Sequence, residues 1–114
     1  MPPRNWRLRV EDIVTAAESI EDFIRGMSFE VFCHDKKTVD AVVRNLEVIG
    51  EAARHVPDEV RKRFPEIVWD DMSDMRNVLI HEYFGVDLTI LWKTIRSDLP
   101  PLVPALNAVL SQKD

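Results

Sequence analysis

The apolar residues of this chain recur three and four positions apart along most of its length, which is the spacing of one face of an α-helix. The alternating pattern of a β-strand is absent from the sequence. The first apolar stripe ends near Gly26, and Asp35 or Thr38 can cap a second, longer helix. The apolar positions of that helix are Val39, Val42, Val43, Leu46, Ile49, Gly50 and Ala53. The spacing therefore predicts an all-α fold.

Proline, glycine and aspartate divide the rest of the chain. Pro57 can open a short helix that Pro65 stops. A long helix is expected over about 70–84, with Gly85 placed to end it. Asp87 can cap another helix, and a proline pair then precedes a last apolar segment. These elements predict a bundle of four to five helices with short connections.

The length and composition suit one soluble domain over residues 1–114, because 46% of the residues are hydrophobic and 31% are charged. No run is apolar enough to cross a bilayer, and the first residues do not resemble a signal peptide. The single cysteine, Cys33, excludes an internal disulfide and suits a reducing compartment. We expect a cytoplasmic protein without a membrane partner.

The charge is unevenly distributed. The net charge of −5 argues against indiscriminate binding of nucleic acid. The segment 66–87 contains six acidic residues and one lysine or arginine, Arg76. If the chain binds RNA, the positive clusters must hold the phosphates; otherwise they are solvated faces. The clusters are Arg4, Arg7 and Arg9, and Arg54, Arg61, Lys62 and Arg63.

A cation, an amide, an imidazole and a phenol follow one another at Arg76, Asn77, His81 and Tyr83, within about two helical turns. A histidine with its ordinary pKa near 6.5 can accept or donate a proton at neutral pH. Arginine can stabilise the charge that develops on a phosphate under attack, and Asn77 can orient either partner. These groups can cleave RNA without a metal. The alternative is a partly buried His81 held by Asp74 or Asn77, with Arg76 paired to a surface acid.

The spacing of the two candidate catalytic residues predicts a dimer. Arg76 and His81 lie five positions apart, or about 140° around a helix, so one helix does not direct both at one atom, although the arginine side chain is long enough to reach round. In a symmetric pair, His81 of one subunit would lie near Arg76 of the other, in a composite cleft on the two-fold axis. Such a dimer supplies two imidazoles, one to accept a proton and one to donate it.

Three sequence blocks, in this order, resemble the HepT-like toxins of the HEPN superfamily. The last block fits the R-x4-H-x-Y pattern of that family, and the resemblance extends from the first helix to Pro100. The blocks are DAVVRNLEVIGEAA at 40–53, FPEIVW at 64–69 and MRNVLIHEYF at 75–84.

The resemblance implies a homodimeric HEPN-type bundle that acts as a metal-independent endoribonuclease and needs no cofactor. Arg76 and His81 match the catalytic pair of the family, and Asn77 matches the polar residue that commonly follows the arginine. Tyr83 matches the tyrosine that the partner antitoxin, a minimal nucleotidyltransferase (MNT), adenylylates to neutralise the toxin. An alternative, favoured by the acidic neighbourhood, is a non-catalytic helical subunit that binds a nucleotidyltransferase.

One further pair of acids has a spacing at which two carboxylates could bind a metal ion. Glu47 and Glu51 lie one turn apart on the second long helix. No histidine of that helix completes a ligand set. A solvated or interface face is therefore the favoured interpretation.

Overall fold

The computed structural model describes residues 5–74 and 87–112, and within these ranges it contains helices and no strand. The prediction of an all-α fold is confirmed. The long helices are α1 (Trp6–Ile24), α3 (Lys36–Arg54) and α7 (Leu102–Ser111); the short ones are α2 (Phe29–Cys33), α4 (Asp58–Arg63) and α6 (Leu88–Lys93), and α6 continues as a π-helical turn, Thr94–Asp98. A further helix, α5, begins at residue 69 and is described as far as 74. The rest of the helix expected over 70–84, with Gly85, lies outside the described residues.

Short polar side chains begin the helices where the sequence predicts. Asp35 caps α3 and Asp87 caps α6, each through a carboxylate oxygen that accepts a first-turn main-chain N–H, at 3.1 and 2.8 Å. Asn5, for which no capping role was predicted, caps α1 in the same way at 2.8 Å. Of the two candidates for the α3 cap, Asp35 is the cap and Thr38 supplies the N–H.

A tight turn ends α1. The main-chain N–H of Met27 donates to the oxygen of Ile24 at 2.9 Å, and Gly26 between them has φ +77°. Arg25, at φ −56° and ψ 126°, completes the geometry of a type II turn. That turn needs a positive φ at its third residue, which explains the glycine where the first stripe ends.

The core lies between α1 and α3, with α7 packed on α1. Residues near the start of α1 and in the second half of α3 line one groove, so the two helices run antiparallel. The predicted stripe of α3 is buried, except that Val39 is half-buried. The fully buried side chains include Val10, Ile13 and Ile20 of α1, Val42 of α3, Ile95, and Leu106 and Val109 of α7.

Two elements were not predicted. The helix α2 spans five residues, too few to display a helical period, and it is held by Phe32, which is fully buried with its ring 5.0 Å from that of Trp92. The π-helical turn is closed by the N–H of Leu99, which donates to the oxygen of Thr94 at 2.9 Å. It lies directly before Pro100, which has no N–H to continue an α-helical pattern.

Among the helices of residues 5–74 and 87–112, none combines the length and apolarity that crossing a membrane requires.

Candidate functional site

The four residues of the sequence motif, Arg76, Asn77, His81 and Tyr83, lie in the segment 75–86, outside the described residues. The expected catalytic and modification roles therefore stay predictions. The structure does describe the first six residues of α5, which lead directly into the motif. The contacts that fix this helix start are the part of the candidate site that can be built from the structure.

The guanidinium of Arg61, on α4, joins two helices at this point. Its Nη2 donates to the main-chain oxygen of Ala53 at 2.6 Å, and its Nε donates to that of Val56 at 3.2 Å. Toward α5, its Nη1 donates to Oδ1 of Asp70 at 2.7 Å, and Nη2 lies 3.4 Å from Oγ of Ser73. The side chain is only 18% exposed. We call this group of contacts the Arg61 clamp.

The chemistry of a helix end explains the clamp. The last carbonyls of an α-helix have no N–H partner within the helix, and the helix dipole makes that end negative. Ala53 lies in the last turn of α3, so a guanidinium there satisfies a main-chain acceptor with a charge of the favourable sign. Asp70, in the first turn of α5, is likewise favoured by the positive end of its helix.

The start of α5 is also held from its apolar side. Trp69 is 4% exposed, and its indole Nε1 donates to the main-chain oxygen of Phe64 at 3.1 Å. Met72 is buried in the core as well. Ser73 donates its hydroxyl to the oxygen of Trp69 at 3.1 Å, within the helix. The helix that leads into the motif is therefore fixed by packing on one side and by the Arg61 clamp on another.

These contacts give two cations of the positive clusters a role that neither interpretation, phosphate binding or a solvated face, had included. The donors of Arg61 are directed at protein acceptors, and Arg7 donates to the main-chain oxygens of Leu110 and Gln112 at 3.0 and 2.6 Å. Both side chains hold the fold together. Arg54, Lys62 and Arg63, in contrast, are exposed beside the same helix ends.

The acids around α5 differ in their environment. Asp70 is paired with Arg61 although its side chain is 90% exposed, and Asp71 and Asp74 are exposed as well. Asp71 also lies at the edge of a largely apolar cleft of about 560 Å³ between α3, the start of α5 and the turn after α6. Val68, which is 45% exposed, lines the same cleft.

Glu47 and Glu51 lie in a charged groove between α1 and α3, with Arg9, Asp12 and Arg44. Arg44 Nη1 is 3.6 Å from Oε2 of Glu47, so this acid faces a cation. Among the described residues, no group of histidine, cysteine or acidic side chains could hold a metal ion. The neighbouring Arg44 gives Glu47 an ion-pair partner on this charged surface.

Over the described residues the chain is all-helical, and its sequence carries the R-x4-H-x-Y pattern at Arg76–Tyr83. A profile of the family described as "Ribonuclease HepT-like" matches residues 13–109. The chain belongs to this HepT-like ribonuclease family.

The chain is also similar to individual relatives over nearly their whole length. The chain is 52% identical to the "Probable ribonuclease HepT" of Thermococcus cleftensis, over 87% of this chain and 90% of the relative. It is 36% identical to the "Putative RNase MJ1380" of Methanocaldococcus jannaschii, over 96% of this chain and 100% of the relative. No solved structure was found to match the chain.

The sequence did not single out the role of Arg61. Its partners are two main-chain oxygens and two side chains that lie 9 and 12 positions away, so no local spacing marks the contact. The only signal was the confinement of Arg61 to a short helix between Pro57 and Pro65, which places it close to the ends of its neighbours.

Proposed function

We propose that this chain is the toxin of a HEPN/MNT toxin-antitoxin system. In this proposal it is a metal-independent endoribonuclease that works in the cytoplasm as a homodimer. Arg76, Asn77 and His81 form its catalytic site, and its antitoxin neutralises it by adenylylating Tyr83. The observation that carries the proposal is the R-x4-H-x-Y segment at Arg76–Tyr83 in a chain that belongs to the HepT-like ribonuclease family.

The proposed reaction is attack of a ribose 2′-hydroxyl on the adjacent phosphorus. One imidazole accepts the proton of the hydroxyl, and the other protonates the departing 5′-oxygen. Arg76 stabilises the extra negative charge on the phosphate oxygens, and Asn77 orients the imidazole or a phosphate oxygen. The products are a 2′,3′-cyclic phosphate and a free 5′-hydroxyl, and no step requires a metal ion.

The homodimer is supported by the helical spacing of Arg76 and His81 and by the surface beside α5. The five-residue separation favours a site completed by a second subunit. The apolar cleft next to the start of α5, with the exposed Val68 at its edge, is a suitable surface for a protein contact there. Sedimentation equilibrium, compared with the chain mass of 13.2 kDa, measures the oligomeric state directly.

The proposed neutralisation acts through size and charge. The phenol oxygen of Tyr83 attacks the α-phosphorus of ATP, pyrophosphate leaves, and AMP stays attached to the tyrosine. The modified residue would lie two positions from His81 and would add a negative charge beside a cleft that binds RNA phosphate. Repulsion of the substrate and occupation of the cleft would both stop cleavage.

The decisive experiment compares purified wild-type protein with His81→Ala on a mixed RNA substrate, with and without a chelator. We expect cleavage by the wild type in both conditions, 2′,3′-cyclic phosphate ends, and no cleavage by His81→Ala. His34→Ala is the matched control, because it removes an exposed imidazole at the end of α2 and should keep full activity. Cleavage that persists in His81→Ala, or that the chelator abolishes, would refute the mechanism.

The acidic segment favours one second candidate, a non-catalytic subunit that binds a nucleotidyltransferase. Asp71 and Asp74 are exposed directly before the motif, where they would repel RNA. This candidate predicts a stable complex with the transferase and no cleavage of RNA by the unmodified chain. The same cleavage assay therefore separates the two functions.

A further inference from the structure

The contacts of Arg61 suggest a role in catalysis that is neither RNA binding nor proton transfer. We propose that Arg61 is a positioning residue: through the Arg61 clamp it sets the position of the start of α5, residues 69–74, which the R-x4-H-x-Y segment follows in the sequence. The inference rests on the proposed ribonuclease function, and it concerns a residue outside the R-x4-H-x-Y segment.

The Arg61 clamp joins two separate parts of the fold. Ala53 lies in the last turn of α3, which is anchored in the core by its buried stripe, and Val56 lies two residues after the end of that helix. Asp70 and Ser73 lie in the first turns of α5. One guanidinium therefore relates the start of α5 to α3, one of the two helices that form the core.

Only an arginine can make the hydrogen bonds of the Arg61 clamp together. The contacts use three nitrogens that point in different directions within one plane, two toward main-chain oxygens and one toward a carboxylate. Lysine carries the same charge on a single nitrogen and cannot reach all of these acceptors together. Because the Arg61 side chain is only 18% exposed, water replaces its main-chain partners poorly, whereas the Asp70 carboxylate, which is 90% exposed, stays solvated.

The Arg61 clamp lies only a few positions before the R-x4-H-x-Y segment in the sequence. If α5 continues as the sequence predicts, Arg76 and Asn77 follow Ser73 by three and four positions, one turn further along the same face. A helix transmits a change at its first turn as a tilt or rotation of the turns that follow. A displacement of about 1 Å in a catalytic group can reduce the rate of reaction on the order of 100-fold.

The test is Arg61→Lys in the full-length protein, with kcat and KM measured on an RNA substrate at several salt concentrations. We expect kcat to fall at least about tenfold, while KM stays within about twofold and the dependence on salt is unchanged. Arg25→Lys is the matched control. It too pairs with a carboxylate, that of Asp22 at 2.6 Å, but it is exposed and lies at the other end of α1 and α3.

A second measurement follows α5 without relying on activity. Hydrogen exchange of the peptide 69–74 should be faster in Arg61→Lys than in the wild type and unchanged in Arg25→Lys. If Arg61→Lys does not fold, Asp70→Asn takes its place, since it alters a single exposed partner of the clamp. The same two changes are then expected in smaller degree.

The outcomes are distinct. A higher KM with a weaker salt dependence would show that Arg61 binds phosphate, and this would overturn the proposal. Unchanged kcat, or unchanged exchange over 69–74, would also overturn it. If the wild type does not cleave RNA, the proposed function fails, while the exchange measurement still decides whether Arg61 positions α5.

Discussion

The guanidinium of Arg7 donates from Nη1 to the main-chain oxygen of Leu110 at 3.0 Å, across 103 positions of sequence. A second nitrogen of the same group donates to Gln112 at 2.6 Å, so the first turn of α1 holds the end of α7. This resembles the Arg61 clamp at the end of α3. Two arginines that the sequence placed in positive clusters thus serve as caps for the carboxyl ends of helices.

Arg7→Ala should destabilise the domain by about 1–2 kcal/mol, because two hydrogen bonds from a charged group to main-chain acceptors are lost. Chemical denaturation measures the effect as a lower midpoint. Arg25→Ala removes an exposed arginine from the other end of α1 and should shift the midpoint much less. Equal shifts in the two variants would contradict the capping role of Arg7.

Mixing wild-type and His81→Ala subunits tests the composite site. If both imidazoles of a dimer serve one cleft, an equal mixture after subunit exchange should keep about a quarter of the wild-type activity, since only wild-type pairs are complete. Independent sites would keep about half. Mixing with His34→Ala should leave activity unchanged, and a linear loss with the fraction of His81→Ala would refute the shared cleft.

Tyr83→Phe should cleave RNA as the wild type does but escape neutralisation. After coexpression with the nucleotidyltransferase, intact-protein mass spectrometry should detect AMP on the wild type and none on the variant. Tyr83 is the single tyrosine of the chain, so no other tyrosine can carry the AMP. An AMP-sized increment that survives Tyr83→Phe would assign the modification elsewhere.

Lys62→Ala should weaken RNA binding without changing the chemical step. Lys62 is exposed on α4, next to the Arg61 clamp, and its charge is accessible to a phosphate. We expect KM to rise, kcat to stay, and the slope of log affinity against log salt to fall by about 0.7 for one lost phosphate contact. Lys37→Ala, exposed at the opposite end of α3, is the matched control. An unchanged slope in Lys62→Ala would remove this surface from the RNA path.

Helical spacing predicted most of the described fold because each long helix must bury one apolar stripe. The buried positions of α3 from Val42 to Ala53 and the cap at Asp87 followed from sequence alone, whereas the structure chose Asp35 over Thr38 as the cap of α3. The prediction failed for α2, where five residues cannot show a period and the burial of Phe32 against Trp92 decides the conformation. Local patterns carry no information on contacts of that kind.

For the candidate site too, one part could be predicted from the sequence and another could not. The sequence motif and the family indicate which chemistry to expect at Arg76, His81 and Tyr83, because reactive side chains at fixed spacing are visible in a sequence. The sequence could not separate Arg61 from Lys62, its exposed neighbour. Their difference depends on where α4 lies relative to the end of α3 and the start of α5.

The sequence by itself determined that this protein is helical, where Pro57, Pro65 and Asp87 delimit helices, and which family it belongs to, because spacing, capping and motifs are properties of neighbouring residues. The tertiary structure alone decided which cations serve the fold and which face solvent. A guanidinium binds whichever acceptors folding places beside it, and for Arg7 and Arg61 these are carbonyl oxygens at the ends of other helices.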